Sequence, residues 1–427
     1  MNRTIKVFHG KLPILIGTLR YSLDGNRESS VFEYDITWLQ SPHRFPLELD
    51  LPLTRGPLFR KKNKNESAFH RIIADTEPDG WAKKIILRDL SKKRQEQKLE
   101  NTPIPESLNS LDFLLSVDDD TRIGSLRFQD ESEVFQKDRK NKQRGIPPLI
   151  EMNQLVASVK AIDENTETAS DLAFLLGKAT SLGGLRPKCN VLDSDGRLCI
   201  GKFPSHQDNR SVTLGEVLAL KLAKKSGINA ASARIIDSNG TKIALISRFD
   251  RSDHGERILY ASAATMIGAD TSSGNEYTYT EIVDAIRSKG SKNQSDIDEL
   301  WRRIAFSILI TNVDDHLHNH GFLHVSQGLW ELSPAFDINP FPHRARELKT
   351  WISEESGPAA SIEALMSAIK HFNISLEKAK GILNDVEKSV STWRTEGKKL
   401  GMTHSDLDLF SDAFEHEERI VTRKLIS

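Results

Sequence analysis

"LWRRIAFSILITNVDDHLHNHGFLHVSQGLWELSPAFDINP", residues 300–340, runs from a helical pattern into a polar cluster, then two short strand patterns, then an aspartate. Asp314 and Asn319 stand in the D-x4-N spacing of a kinase catalytic loop, where the aspartate accepts the substrate hydroxyl proton and the asparagine holds Mg²⁺. "GFLHV" and "LWELS" follow as strands joined by Gln327-Gly328, and Asp337, eighteen residues after Asn319, is where a second magnesium carboxylate would sit. Carboxylate and amide oxygens are the hard ligands that Mg²⁺ prefers. A second reading is a transition-metal site. His316, His318 and His320 alternate, so in a strand they would share one face, with His324 or an aspartate completing a hydrolase's coordination sphere. Plain surface polarity is the third.

What lies upstream bears on the choice. "SLGGLRPK", 181–188, places Gly183 and Gly184 ahead of a strand. Backbone amides there approach a phosphate closely, with Arg186 and Lys188 supplying charge; the alternative is an ordinary turn. Leu198, Ile200 and Lys202 share one strand face by the period of two, which puts a lysine on an otherwise apolar face, needing an anionic partner or reaching solvent at the strand end. Glu216 follows fourteen residues later. A strand lysine with a helix glutamate is how kinases hold nucleotide phosphates. Thr213-Leu-Gly-Glu216 also fits a capping box, which accounts for the glutamate without a ligand. "ISRFDR", 246–251, ends a hairpin at the junction with a helical region, where backbone groups of Ser247, Arg248 and Phe249 would face an adenine edge. The order of glycine loop, lysine, glutamate, junction, D-x4-N, strand pair and aspartate favours the kinase.

Composition narrows the class. The 427 residues allow two or three domains, and a hydrophobic share of 38% with 28% charged residues describes a globular chain. With 59 basic and 60 acidic residues the net charge is −1, which indicates no global attraction to nucleic acid or membrane. Basic runs at 60–65, "RKKNKN", and 137–144, "KDRKNKQR", are local exceptions that read mainly as solvated loops. Two cysteines, Cys189 and Cys199, exclude a disulfide framework and a four-thiolate zinc site. "MNRTIKVFHG" has no apolar signal region and no stretch matches a membrane span, so a soluble cytoplasmic protein is expected.

The chain is expected to form an N-terminal α+β domain over 1–128, a charged linker over 129–148, a sheet-plus-helix lobe over 149–250 and a helical lobe over 251–427. Asp-Ser-Asp-Gly and Asp-Ser-Asn-Gly mark two hairpins flanking a helix that Gly227 closes.

With these residues in place, the chain resembles the HipA family, the toxin kinases of bacterial toxin–antitoxin modules. "GTLRYSLDGNRESSVFEYDITWL", "LDLPLTRG", "ADTEPDGWAKKIILRD" and "LDFLLSVDDDTRIGSLRF" look like that family's N-terminal region. "TSLGGLRPK", "GKFPS", "ISRFDR", "NVDDHLHN" and "LSPAFDINP" look like its kinase core. The resemblance implies a two-lobed protein-kinase-like α+β fold with a mostly helical C-terminal lobe, and ATP with Mg²⁺ as cofactors. It implies Asp314 as catalytic base and Asn319 and Asp337 as magnesium ligands. Gly183, Gly184, Lys188, Lys202, Glu216, Ser247, Arg248, Phe249 and His316 would lie with the nucleotide, and Ser181, beside Thr180, would be the autophosphorylated serine. It implies a translation-related substrate, typified by glutamyl-tRNA synthetase, and a HipB-like helix-turn-helix antitoxin through which DNA is reached. Departures are His318, where a lysine is common, and Ser247, where a glutamate is usual. "RILYASAATMIGA" also lacks the pattern found after the hinge in relatives of the type member, which weakens transfer of the substrate. A catalytically inactive kinase-fold corepressor is the remaining alternative.

Overall fold

The computed structural model describes residues 1–427 except 64, 65, 134, 136–148, 177 and 179–183, and omits the side chain of Ile150. Most of the charged linker, Ser181 and Gly183 therefore lie outside the described residues. The rest divides into two compact units, 1–207 with 236–260, and 208–235 with 261–427.

The first unit opens with strands β1 (Asn2–His9), β2 (Ile14–Asp24), β3 (Arg27–Tyr34), β4 (Leu58–Lys61) and β5 (Leu126–Gln129), in the sheet order β4-β3-β2-β1-β5. Ile5, Val7, Leu19, Tyr21 and Phe32, spaced by two within their strands, supply the buried face. A second sheet, of β6 (Lys188–Leu192), β7 (Leu198–Lys202), β8 (Ala233–Ser238) and β9 (Thr241–Ser247), runs β6-β7-β9-β8. The two Asp-Ser-Xaa-Gly turns close its hairpins, with Gly196 and Gly240 at positive φ as such turns require.

The long helix Gly80–Leu99 packs against the second sheet. Its Trp81, Ile85 and Ile86 share one core with Leu155, Val159 and Ile162 of the helix Met152–Asp163 and with Cys189, Val191, Cys199, Ile243 and Leu245 of the second sheet. Each such side chain is worth roughly 1.5–3 kcal/mol when fully buried.

The second unit is mostly helical, organised on the helix Asn293–Leu309, whose Leu300, Trp301, Ile304 and Ile308 are fully buried. The helix Val212–Lys225 begins at Ser211, so Thr213 lies inside its first turn and the capping box expected of Thr213 and Glu216 does not form. Glu216 is instead a buried residue further along that helix. At its other end Ser226 is the cap, Gly227 takes φ +81, and Ile228 donates back to the Ala223 carbonyl, as the sequence predicts. Strands Gly321–Ser326 and Leu329–Leu332 pair antiparallel around Gln327-Gly328, both at positive φ. Among the described residues no helix is long and apolar enough to cross a membrane.

Candidate functional site

In the first unit the strand register decides what can meet. Lys188 of β6 stands directly opposite Lys202 of β7, so both side chains share one face of the sheet. Cys189, Val191 and Cys199 occupy the other face, in the core. Like charges at opposed positions repel. Lys188 is buried, and a Cβ placed on Gly184 would come within 2.7 Å of its Nζ. The lysine therefore lies against the backbone of Gly184. Gly184, at φ +86, accepts a hydrogen bond from the Trp81 amide at 2.9 Å. Gly80 permits that approach, since a Cβ there would lie 2.4 Å from the Gly184 oxygen.

Ser247 ends β9 opposite Cys199. The Arg248 amide donates to the Leu198 carbonyl at 3.1 Å, so it is already committed within the sheet. The Arg248 guanidinium is buried and donates to Asp250, to Asn190 and to the carbonyls of Thr121 and Arg122. Asp250 also accepts from Arg251 and the Gly124 amide. Burial alone would raise the Asp250 pKa, but Arg248 and Arg251 outweigh it and hold the carboxyl below the ordinary range. The Phe249 ring sits 6.3 Å from that of Tyr260.

In the second unit the helix Asn293–Leu309 gives way to Thr311, a β-branched residue held at φ +52. Its hydroxyl donates to the Ala413 carbonyl, and Asn312 bonds back to Ser307, so the loop leaves the helix in a fixed direction. Asp314 is partly exposed, with Arg344 3.8 Å away. Asn319 donates its side-chain nitrogen to the Asp314 carbonyl at 2.8 Å, which leaves its oxygen as the acceptor. Asn312 accepts from the Asn339 amide at 3.1 Å, joining this loop to the segment that carries Asp337. Asp337 takes φ +53, a left-handed conformation of the kind retained where surroundings over-determine the backbone. Asn319 and Asp337 both line a cavity of about 20 Å³, together with Asn312, Asp315 and His320. Arg303, Phe306, Phe336 and Ile338 line the same cavity, so of its lining residues the carboxylate of Asp337 and the amide of Asn319 are of the kind that suits a hard cation such as Mg²⁺.

The histidines do not converge. His316 and His318 are exposed, with rings 6.0 Å apart, and Leu317–Asn319 is a 3-10 turn rather than a strand. His320 is buried beside the Tyr279 hydroxyl and the Asp315 carbonyl, and burial pushes its pKa down to about 3. Among the described residues no group of three or more histidines, cysteines and carboxylates could hold a metal. The hydrolase reading of His316, His318 and His320 is corrected on this geometry.

Asp315, Tyr279 and Asn312 went unmarked in the sequence. Asp315 accepts from the Tyr279 hydroxyl at 2.7 Å and the Lys349 amide at 2.8 Å, and Thr350 donates to its carbonyl. Burial raises its pKa to about 6 against those bonds, which favour the charged form. It fixes the backbone beside Asp314.

The HipA N-terminal domain family matches residues 7–101, and the HipA-like C-terminal domain family matches residues 180–393. Y4mE of Sinorhizobium fredii, whose name proposes a kinase, is 22% identical over 205 residues, 43% of this chain and 47% of that protein. The chain thus spans about half the length of that curated relative. Among solved structures, HipA of Shewanella oneidensis MR-1, a toxin–antitoxin structure with HipB and operator DNA, aligns at a TM-score of 0.64 with 14% identity. The alignment covers 99% of this chain and 96% of that one. At that identity the likeness is one of fold: α+β, two-lobed and protein-kinase-like.

Proposed function

The chain belongs to the HipA family, and on that premise we propose that it is a serine/threonine protein kinase acting as the toxin of a bacterial toxin–antitoxin module. The observation that carries the reading is local. Asn319 and Asp337 border one small cavity, and the Asn319 nitrogen is held by the carbonyl of Asp314. Mg²⁺ with ATP, when bound, supplies the γ-phosphoryl group and neutralises its charge. Asp314 accepts the proton of the substrate hydroxyl, while Asn319 and Asp337 hold the metal. Lys202 and Lys188 face the phosphates, with Gly183 and Gly184 in the loop over them and Glu216 as the helix partner of Lys202. Backbone groups of the Ser247–Phe249 segment receive the adenine. The Arg248 amide is excepted, because it is already bonded to Leu198, and His316 lies with the nucleotide. Ser181 is the proposed autophosphorylation site, a translation-related protein the substrate, and a HipB-like antitoxin the partner that reaches DNA.

The test is thermal denaturation of the unphosphorylated protein with Mg²⁺-ATP. A ligand that binds the native state raises the midpoint. No shift at millimolar nucleotide would overturn the kinase reading. Growth arrest on expression without an antitoxin should require Asp314; arrest undiminished in Asp314→Asn would remove phosphorylation as the toxic act.

A further inference from the structure

A single buried amide joins three parts of the first unit. Asn190, on β6 two residues after Lys188, is fully buried. Its backbone and side-chain nitrogens both donate to the Lys178 carbonyl, at 2.7 and 2.9 Å, and its side-chain oxygen accepts from Arg248 at 2.9 Å. Lys178 stands six residues before Gly184 on the approach to the glycine loop. Arg248 continues the connection to the carbonyls of Thr121 and Arg122, at 2.6 and 3.2 Å, and Asp250 extends it to the Gly124 amide at 2.7 Å. Arg122 is itself buried and donates to the carbonyls of Thr76, Leu114 and Val117.

We propose that Asn190 is a positioning residue that sets the approach to the phosphate loop against the hinge segment, and that Arg248 passes this setting to residues 121–124 of the N-terminal region. The inference rests on the kinase reading and deepens it. The chemistry of the amide is what the place requires. Only a side chain with a donor and an acceptor at opposite corners can give a proton to one carbonyl while accepting from a guanidinium. Both bonds are out of water, so losing either removes a buried tie between these segments, although the Lys178 carbonyl keeps the Asn190 backbone amide and Arg248 keeps Thr121, Arg122 and Asp250. Nucleotide affinity and the order of residues 119–127 are then two readings of one network.

The experiment uses the full-length protein and a fluorescent ATP analogue with Mg²⁺. Asn190→Asp keeps the acceptor for Arg248 but sets a carboxylate oxygen against the Lys178 carbonyl. Its dissociation constant should rise about tenfold, the scale of one buried bond lost, with the turnover number of autophosphorylation at saturating ATP falling far less. Wild-type protein supplies a measurement that needs no variant. Mg²⁺-ATP should slow amide hydrogen exchange in peptides covering residues 119–127. Wild type that binds no nucleotide would overturn the kinase reading itself. Wild type that binds, with Asn190→Asp binding equally well, would overturn the positioning role, as would exchange at 119–127 unchanged by nucleotide.

Discussion

Asp250 and Asp315 are both buried, and the two regions around them treat a carboxylate in opposite ways. Around Asp250 the surroundings are cationic: Arg248 and Arg251 bond it directly, and its pKa falls. Around Asp315 they are neutral, a tyrosine hydroxyl and a backbone amide, and burial prevails, lifting the pKa to about 6. Burial alone therefore says nothing about which protonation state a fold holds; the partners decide. Beside Asp315 stands Asp314, partly exposed and bound only loosely by Arg344. The first region fixes a charge in place, and the second keeps a carboxylate accessible on a scaffold that is itself close to neutrality.

The largest effect should come from the accessible member. Asp314→Asn removes proton acceptance and should lower phosphoryl transfer by about 10²–10⁴-fold, while leaving the melting temperature nearly unchanged. A matching loss of stability would mean that Asp314 is structural and erase the contrast. Next comes Asp250→Ala, which strands buried guanidinium groups and should cost about 3–5 kcal/mol in denaturant unfolding. A cost near zero would show that Arg248 finds enough other acceptors.

The pH dependence separates the pair further. Asp315, with its folded pKa raised from 3.8 to about 6, contributes stability that is full below about pH 4 and is lost as pH rises through 6. Its size is about 3 kcal/mol, the free energy that separates two such pKa values. Asp250, with its folded pKa depressed, contributes stability above its unfolded value and loses it as the solution is acidified below that. Stability curves of wild type and Asp315→Asn between pH 4 and 8 should differ in slope around pH 5–6; parallel curves would refute the Asp315 assignment. The smallest effect is Tyr279→Phe. It removes a donor to a carboxylate and should cost about 1.5–3 kcal/mol at pH 8 and less at pH 5, where a neutral acid loses a weaker bond.

What the sequence made legible was local or ordered along the chain. The Asp-Ser-Asp-Gly turn, the alternation of Leu198, Ile200 and Lys202, and the closure at Gly227 each depend on a few neighbouring residues, and each reappears in the fold. The order from the glycine loop to Asp337 exposed the family because many short motifs stood in one sequence. The supports were not legible. Tyr279 meets Asp315 across 36 positions and Arg248 meets Thr121 across 127. Nothing in a tyrosine or an asparagine marks it for a partner so distant. The capping box failed for a subtler reason. The T-x-x-E pattern was present, but the helix starts at Ser211, which moved both residues inward. The histidine cluster misled because alternation implies a shared face only in a strand, and this segment turns instead.

The shared core of the helix Gly80–Leu99 and the second sheet bears on how this chain can be taken apart. The charged stretch 129–148 invites a cut, yet a fragment starting beyond it would leave Val191, Cys199 and Ile243 without Trp81, Ile85 and Ile86 to cover them. A chimaera that exchanges catalytic regions between relatives therefore has to carry this helix along with the sheet. A seam within 129–148 would part these packing partners, whereas one placed before Gly80 keeps them in the same parent and instead separates β5 from β1.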